Sequence, residues 1–127
     1  MKLKITKIML LFGLLMPAIA SAVTEDDFMA KTAQNIVNLC TATETDPQQK
    51  EAIHFCHGYL VGAYHYHHSE NDGPEFEQQI CFPDHEPSRN VAIAKVISWM
   101  QQHPEYMNEP PVEAAFRALH DLWPCKK

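Results

Sequence analysis

Histidines are the residues of this sequence best suited to chemistry, and five of the eight fall between positions 54 and 68. On a helix, His54 would lie within one turn of His57, and His65 within one turn of His68. Such pairs bind Zn²⁺, Cu²⁺ or Ni²⁺. The two pairs are eleven residues apart, which is about 16 Å along a helix axis, so they cannot share one ion. We therefore expect no metal and no other cofactor, and the only candidates for a weak site are His65, His67 and His68.

Cysteines are the second group of reactive side chains, at Cys40, Cys56, Cys81 and Cys125. Zinc sites usually contain a cysteine pair about two to four residues apart, whereas the gaps here are 16, 25 and 44 residues. In a small exported protein an even number of cysteines predicts two disulfides, which leaves no free thiol for nucleophilic catalysis. The serines lack a nucleophile motif, and no glycine-rich phosphate loop is present. We find no active site and predict that the protein is not an enzyme.

The N-terminus indicates export. Three lysines within the first seven residues precede an apolar run from Ile8 to Met16, and small residues follow at positions 20–22. This is the layout of a secretory signal peptide, so we expect residues 1–22 to be removed by cleavage after Ala22. The apolar run is shorter than the ~20 residues of a membrane span. We expect no membrane-spanning segment in the mature chain, residues 23–127.

The mature chain is strongly acidic. Removing residues 1–22 leaves 105 residues with seven basic and sixteen acidic side chains, a net charge of −9 with neutral histidines. That length suffices for one compact domain. The negative charge argues against binding to nucleic acid or to an anionic membrane, and it suits a basic protein partner.

Apolar periodicity and capping residues predict an all-α fold: a single small domain of about four helices, stapled by two disulfides. The predicted helices are Glu25–Cys40, Pro47–His68, Ser88–His103 and one that opens at Pro110-Pro111 and ends before Pro124. Thr24, Asp46 and Ser88 are the expected N-caps. No strand is predicted.

The helical layout favours one pairing of the cysteines. Helices joined by a short loop lie antiparallel, so residues at the two far ends of such a hairpin come close. This brings Cys81, before the third helix, near Cys125, after the fourth, and Cys40 near Cys56 across the first turn. We predict these two disulfides, although the sequence alone allows three pairings.

Two glycines stand one helical turn apart within the predicted second helix. Gly58 and Gly62, with Tyr59 beside the first, form a Gly-x-x-x-Gly step. Each glycine costs a helix about 1 kcal/mol relative to alanine. We interpret the spacing as a helix-packing motif where another helix approaches closely.

Five short motifs in order resemble the Rap/Tai family of type VI secretion immunity proteins. The stretch from Cys56 to Gly62 resembles the family signature Cys-x-Gly-Tyr-x-x-Gly, and Cys40 fits the leading cysteine. The remaining motifs are Cys81-Phe82-Pro83, His103-Pro104-Glu105, the Pro-Pro-Val-x-Ala-Ala helix start at 110–115 and Pro124-Cys125. The resemblance covers residues 26–125.

The resemblance implies a periplasmic, disulfide-bonded helical protein that binds a cognate peptidoglycan amidase and covers its active-site cleft. It also implies a possible homodimer. We expect the loop Ser69–Gln79 to make the contact, since it is acidic and carries an aromatic anchor. The candidate partner-binding residues are Glu70, Asn71, Asp72, Glu75, Phe76 and Glu77. The same loop is equally compatible with a plain acidic connector.

Two other functions fit the composition. The eight histidines suit a periplasmic metal-binding protein, and together with the sixteen acids they suit a pH-responsive periplasmic chaperone, because both groups change charge as the pH falls. Metal titration and a test of client protection at low pH distinguish these hypotheses from the inhibitor.

Overall fold

Helices form nearly all the regular structure of the computed structural model, which describes residues 22–73, 75 and 77–126. The elements are α1 (Glu25–Phe28), α2 (Ala33–Cys40), α3 (Gln49–Glu70), α4 (Arg89–Gln101), a 3₁₀ turn (Pro104–Tyr106) and α5 (Pro111–Leu122). The described residues form no strand, only an isolated antiparallel bridge between Ile80 and Pro124. The predicted all-α class is confirmed. Of the predicted signal peptide, residues 1–22, positions 1–21 lie outside the described residues.

Helix α2 lies at the centre of the core because it packs against all four other α-helices. Its buried face consists of Ala33, Ile36, Val37 and Leu39. From the other side, α4 and α5 contribute buried side chains, among them Ile97, Met100, Ala118 and Leu119. Burial of a large aliphatic side chain stabilises the fold by roughly 1.5–3 kcal/mol.

The connection between α4 and α5 supplies hydrogen-bond acceptors to the first N–H groups of α2. The first N–H groups of a helix have no partner within it. Here the backbone N–H of Ala33 donates to the carbonyl of Glu109 at 2.8 Å, and that of Gln34 donates to Met107 at 3.0 Å. Two distant parts of the chain are thus joined by backbone hydrogen bonds at the edge of the core.

The predicted first helix, Glu25–Cys40, is wrong in one respect, since the structure breaks it into α1 and α2. Ala30 adopts a left-handed conformation with φ of 46°. Thr32 then caps α2: its backbone N–H donates to Asn35 Oδ1 at 3.1 Å, and its hydroxyl accepts from the Asn35 N–H. This capping pattern starts a new helix in preference to continuing the old one.

The start of α3 also differs from the prediction. Asp46 does not cap the helix, which begins at Gln49 with Gln48 as its N-cap. Instead, Asp46 accepts a hydrogen bond from the Gln48 N–H at 2.8 Å and another from the Val23 N–H at 2.7 Å. Its carboxylate therefore shapes the turn and holds the chain that enters α1. The predicted caps Thr24 and Ser88 are confirmed.

Both predicted disulfides are present. Cys40–Cys56 joins the end of α2 to α3, and Cys81–Cys125 joins the chain before α4 to the chain after α5. The second bond is reinforced by the Cys81 N–H, which donates to the Trp123 carbonyl at 2.9 Å. The disulfides close both helical hairpins.

The C-terminal half of α3 packs only shallowly. Of this helix, only Ala52 and Cys56 are fully buried. The predicted inward face continues through Leu60, Ala63 and Tyr64, which the structure leaves half-buried. The half-buried stripe of α3 therefore borders an open surface of the protein.

No described helix combines the length and apolar character that a membrane span requires.

Candidate partner-binding surface

A segment of the chain after Lys50 is acidic, with no lysine or arginine in it. Between Lys50 and Arg89 the sequence contains no lysine or arginine. Seven acidic residues lie in this interval: Glu51, Glu70, Asp72, Glu75, Glu77, Asp84 and Glu86. All seven are exposed. The surface that they form attracts positively charged groups.

The predicted partner-binding residues have different surroundings. Glu70, Asp72, Glu75 and Glu77 are exposed, as a contact surface requires. Asn71 instead ends α3, because its side-chain amide donates to the His67 carbonyl at 2.7 Å and its backbone N–H donates to the same carbonyl at 3.1 Å. The predicted aromatic anchor, Phe76, lies outside the described residues.

A polar cavity of about 440 Å³ separates the end of α3 from the loop that follows it. Asp72 and Glu77 line it from the loop, and Tyr64, His67 and His68 line it from the helix. Two carboxylates in a concave site are suited to hold a cationic side chain.

An apolar groove of about 250 Å³ lies on the other side of Tyr64. Leu60 and Val61 of α3 form one wall, and Ala92 and Phe116 of the last two helices belong to the lining opposite. Three helices and the chain before α4 contribute to the groove, so only the folded protein contains it.

Tyr64 is shared by the cavity and the groove. Its ring lies 5.9 Å from the ring of Phe82, which in turn lies 4.8 Å from that of Trp123. Burial raises the pKa of the Tyr64 hydroxyl, and the nearby carboxylate of Glu86 raises it further. The hydroxyl therefore remains protonated at neutral pH and is available as a hydrogen-bond donor.

Two histidines meet beside Phe116. The His67 ring packs on the Phe116 ring at 4.5 Å, and the His120 ring lies 6.5 Å from Phe116 on α5. Burial lowers the pKa of His67, and the nearby His120 and His68 lower it further. Nε2 of His120 is buried without a hydrogen-bond partner among the described residues. These surroundings favour the neutral imidazole of His67.

The candidate metal ligands are not brought together. His67 turns toward Phe116, whereas His65 and His68 lie beside Tyr64, with ring separations of 6.1 and 6.3 Å. Within the described part of the chain, no group of three or more histidine, cysteine or acidic side chains is placed to hold a metal ion.

The Gly-x-x-x-Gly step faces open space. Apart from the adjoining residues and the nearby backbone of α3 itself, no described atom lies within 4 Å of the position that a Cβ atom would occupy on Gly58 or Gly62. The closely approaching helix that we predicted is therefore not one of the described helices of this chain. Tyr59, which lies between the two glycines in the sequence, stacks its ring on that of Phe55 with 6.2 Å between the ring centres.

A stack of rings between the end of α4 and the 3₁₀ turn was not predicted from the sequence. The Trp99 ring stacks on His103 at 3.8 Å, and the Arg117 guanidinium lies over the Tyr106 ring at 4.9 Å. Arg117 also forms an ion pair with Glu109 at 2.9 Å. Trp99 and His103 are four residues apart on the sequence, a spacing that signals such a contact on a helix.

The chemistry of these surfaces is that of binding. All four cysteines are oxidised in disulfides, so none of their thiols can act as a nucleophile. The acidic segment, the polar cavity and the apolar groove offer charge, hydrogen bonds and an apolar recess to another molecule.

Comparison with known proteins places the chain in a family of binding proteins. The sequence profile of the Rap1a immunity proteins matches residues 32–125. The chain therefore belongs to the family of Rap1a immunity proteins, and the predicted resemblance is confirmed. No curated protein matches the chain, and no solved structure does.

Proposed function

We propose that this protein is a periplasmic immunity protein that binds a secreted peptidoglycan amidase and covers its active-site cleft. The segment from Ser69 to Gln79, which begins at the last two residues of α3, makes the principal contact. The protein acts by steric exclusion and charge, without catalysis of its own.

The observation that carries this proposal is the match of the chain to a family of immunity proteins. A second observation supports it, because seven exposed acids of the chain lie in a segment without lysine or arginine. Such a segment steers a basic partner into an encounter and orients it. The polar cavity between Tyr64 and Glu77 then offers a defined place for one of the partner's cationic groups.

The covalent structure supports the proposed compartment. Two disulfides in a small domain are stable in an oxidising compartment such as the periplasm. The N-terminal lysines, the apolar run and the small residues before Val23 supply the route by which the chain is exported. An inhibitor in this compartment meets an incoming wall-degrading enzyme before that enzyme reaches peptidoglycan.

Inhibition of an amidase tests the proposal directly. Secreted peptidoglycan amidases are purified, including any that a neighbouring gene encodes, and their hydrolysis of peptidoglycan is measured with increasing amounts of the immunity protein. We expect complete inhibition of the cognate enzyme at a one-to-one ratio. A protein that neither binds nor inhibits any of these enzymes contradicts the proposed function.

Charge reversal assigns the contact to the loop. The double variant Glu75→Lys/Glu77→Lys should weaken inhibition at least tenfold, because it places like charges against the partner. The double variant Glu44→Lys/Glu105→Lys is the matched control, since it changes the net charge equally at exposed positions elsewhere. Equal loss in both variants would show that only the overall charge matters.

A further inference from the structure

The groove beside Tyr64 is an apolar recess with no occupant among the described residues. Its lining includes Leu60, Tyr64, Ala92, Ile93 and Phe116. Leu60, Tyr64 and Phe116 are only half-buried, so a hydrophobic occupant would remove further apolar surface from water. Small-molecule sites usually occupy about 300–1,000 Å³, and this groove of about 250 Å³ lies just below that range.

Charge around the groove indicates what kind of molecule carries that side chain. Glu86 lies in the groove lining, and Asp72 and Glu77 line the polar cavity on the far side of Tyr64. Arg89, at the start of α4, is the one basic residue in the groove lining. An occupant of both recesses therefore meets more negative than positive charge.

We propose that the groove between α3, α4 and α5 receives an apolar side chain, preferably aromatic, from a basic segment of a partner protein, while a neighbouring basic side chain of that segment enters the polar cavity. Tyr64 lies between the two recesses and contacts both groups. The inference rests on the proposed function, because it supplies the amidase with a second contact besides the acidic loop.

Anchoring of this kind explains how a small surface selects its partner. Binding energy at protein interfaces is concentrated in a few aromatic and arginine side chains held in pockets. An acidic loop alone attracts many basic proteins, whereas an apolar pocket next to it accepts only those with a suitable side chain at the correct distance.

Synthetic peptides test the groove without the amidase. The probes are acetylated and amidated pentapeptides of sequence Lys-Lys-Trp-Lys-Lys, Lys-Lys-Ala-Lys-Lys and Glu-Glu-Trp-Glu-Glu. Their binding to the disulfide-bonded protein, purified from periplasm, is followed by ¹H–¹⁵N NMR. We expect the first peptide to shift the amides of Tyr64, Ala92 and Phe116, and to bind at least tenfold more tightly than the other two.

A groove-filling variant provides the matched comparison. Ala92 lines the groove, whereas Ala94, on the same helix, is exposed and lies outside it. Ala92→Phe should weaken binding of the first peptide at least tenfold, and Ala94→Phe should leave it within twofold. Circular dichroism verifies the fold of both variants, and the NMR shifts of the unmodified protein test the proposal even if Ala92→Phe fails to fold.

Each contrary outcome overturns a specific part. If the alanine peptide binds as tightly as the first peptide, the groove does not receive an apolar anchor. If the acidic peptide binds as tightly as the first, the partner segment need not be basic. Groove shifts that depend on protein concentration alone identify a second copy of the chain as the occupant. If the loop charge reversals abolish amidase inhibition while the peptides do not reach the groove, this inference fails and the proposed function stands.

Discussion

Asn38 donates a side-chain hydrogen bond of 2.9 Å to Oδ1 of Asp27, across the break between α1 and α2. Asn35 donates to the same oxygen at 3.1 Å, and the Thr24 N–H donates to the other carboxylate oxygen at 2.8 Å. Asp27 is only 4% exposed and is the one buried charged residue of the described chain. Its carboxylate therefore holds α1 onto α2 where the backbone between them is not helical.

Replacement of this carboxylate should destabilise the protein. In Asp27→Asn, the amide group cannot accept from all of these donors, and a buried donor left without a partner costs about 1–3 kcal/mol. We expect the free energy of unfolding in urea to fall by that amount. Asp26→Asn is the control, since Asp26 is exposed and its loss should cost less than about 0.5 kcal/mol.

The contribution of Asp27 should depend on pH. Burial alone would raise the pKa of its carboxyl, but hydrogen bonds from Thr24, Asn38 and Asn35 outweigh burial and lower the pKa below 3.8. The contribution is therefore complete at neutral pH and is lost as the pH falls below 3.8 through the folded-state pKa. The stability difference between the wild type and Asp27→Asn should shrink in the same range, and a constant difference would contradict this assignment.

The two disulfides should differ in their effect on stability. Cys40–Cys56 spans 16 residues and Cys81–Cys125 spans 44. Since the entropy lost by the unfolded chain grows with loop length, removal should cost about 3 kcal/mol for the shorter loop and about 4 kcal/mol for the longer. Paired alanine variants and urea unfolding measure both values. A larger cost for the shorter loop would show that native-state contacts outweigh loop entropy.

Protection of the host against the effector should require both export of the chain and formation of its disulfides. A chain that lacks residues 1–22 should remain in the cytoplasm, where thiols are kept reduced. We expect this form to be poorly stable and to give its host no protection against the effector. Alkylation of thiols in cell lysates reports the redox state, and survival in competition reports protection. Full protection by the cytoplasmic form would contradict the periplasmic role.

Local signals were sufficient for the hairpins and insufficient for the break at Ala30. Proline and polar residues mark the turns around Pro47 and Pro110, so the helices and both disulfides could be predicted. No glycine or proline marks Ala30, and its left-handed φ occurs where Asp27 contacts Asn35 and Asn38 of the next helix. The only local signal was the Thr32-x-x-Asn35 capping pattern, which a continuous apolar stripe concealed.

The candidate surface was only partly accessible from the sequence for a similar reason. An acidic segment can be read directly from the sequence, so the loop after His68 could be predicted. Periodicity identified Leu60 and Tyr64 as apolar-face residues of a helix, but it does not distinguish a fully covered face from a half-covered one. The groove exists because residues such as Ala92 and Phe116 meet that face in three dimensions.

Acidification should destabilise the protein through His67. Burial and the neighbouring His120 and His68 hold its folded-state pKa below 6.5, so the unfolded chain binds more protons near that pH. Its neutral form is favourable above pH 6.5, and stability is lost as the pH falls from there through the folded-state pKa.

His67→Gln should reduce this loss of stability. Thermal unfolding midpoints at pH 7.5 and pH 5 measure the effect, and the difference between the two should be smaller in the variant than in the wild type. His54→Gln is the control, since His54 is exposed near the other end of the same helix. An unchanged pH dependence in His67→Gln would assign the effect to other groups.

Alanine at the two exposed glycines should stabilise the protein. Neither Gly58 nor Gly62 has a positive φ. A Cβ atom at either position would meet no described atom within 4 Å other than those of the adjoining residues and the nearby backbone of α3. Alanine loses less backbone entropy in a helix than glycine does, so Gly58→Ala and Gly62→Ala should each raise the free energy of unfolding by about 0.5–1 kcal/mol.

The reverse change at an exposed helical alanine calibrates this expectation. Ala94→Gly, on α4, should lower the free energy of unfolding by about the same 0.5–1 kcal/mol, because Ala94 is exposed and the backbone entropy term dominates. Urea unfolding of the three variants at one protein concentration provides the comparison. A stability decrease in Gly58→Ala or Gly62→Ala, with the expected decrease in Ala94→Gly, would mean that the glycine face is covered in solution. That result would place a second molecule against α3, where the described chain provides no neighbour.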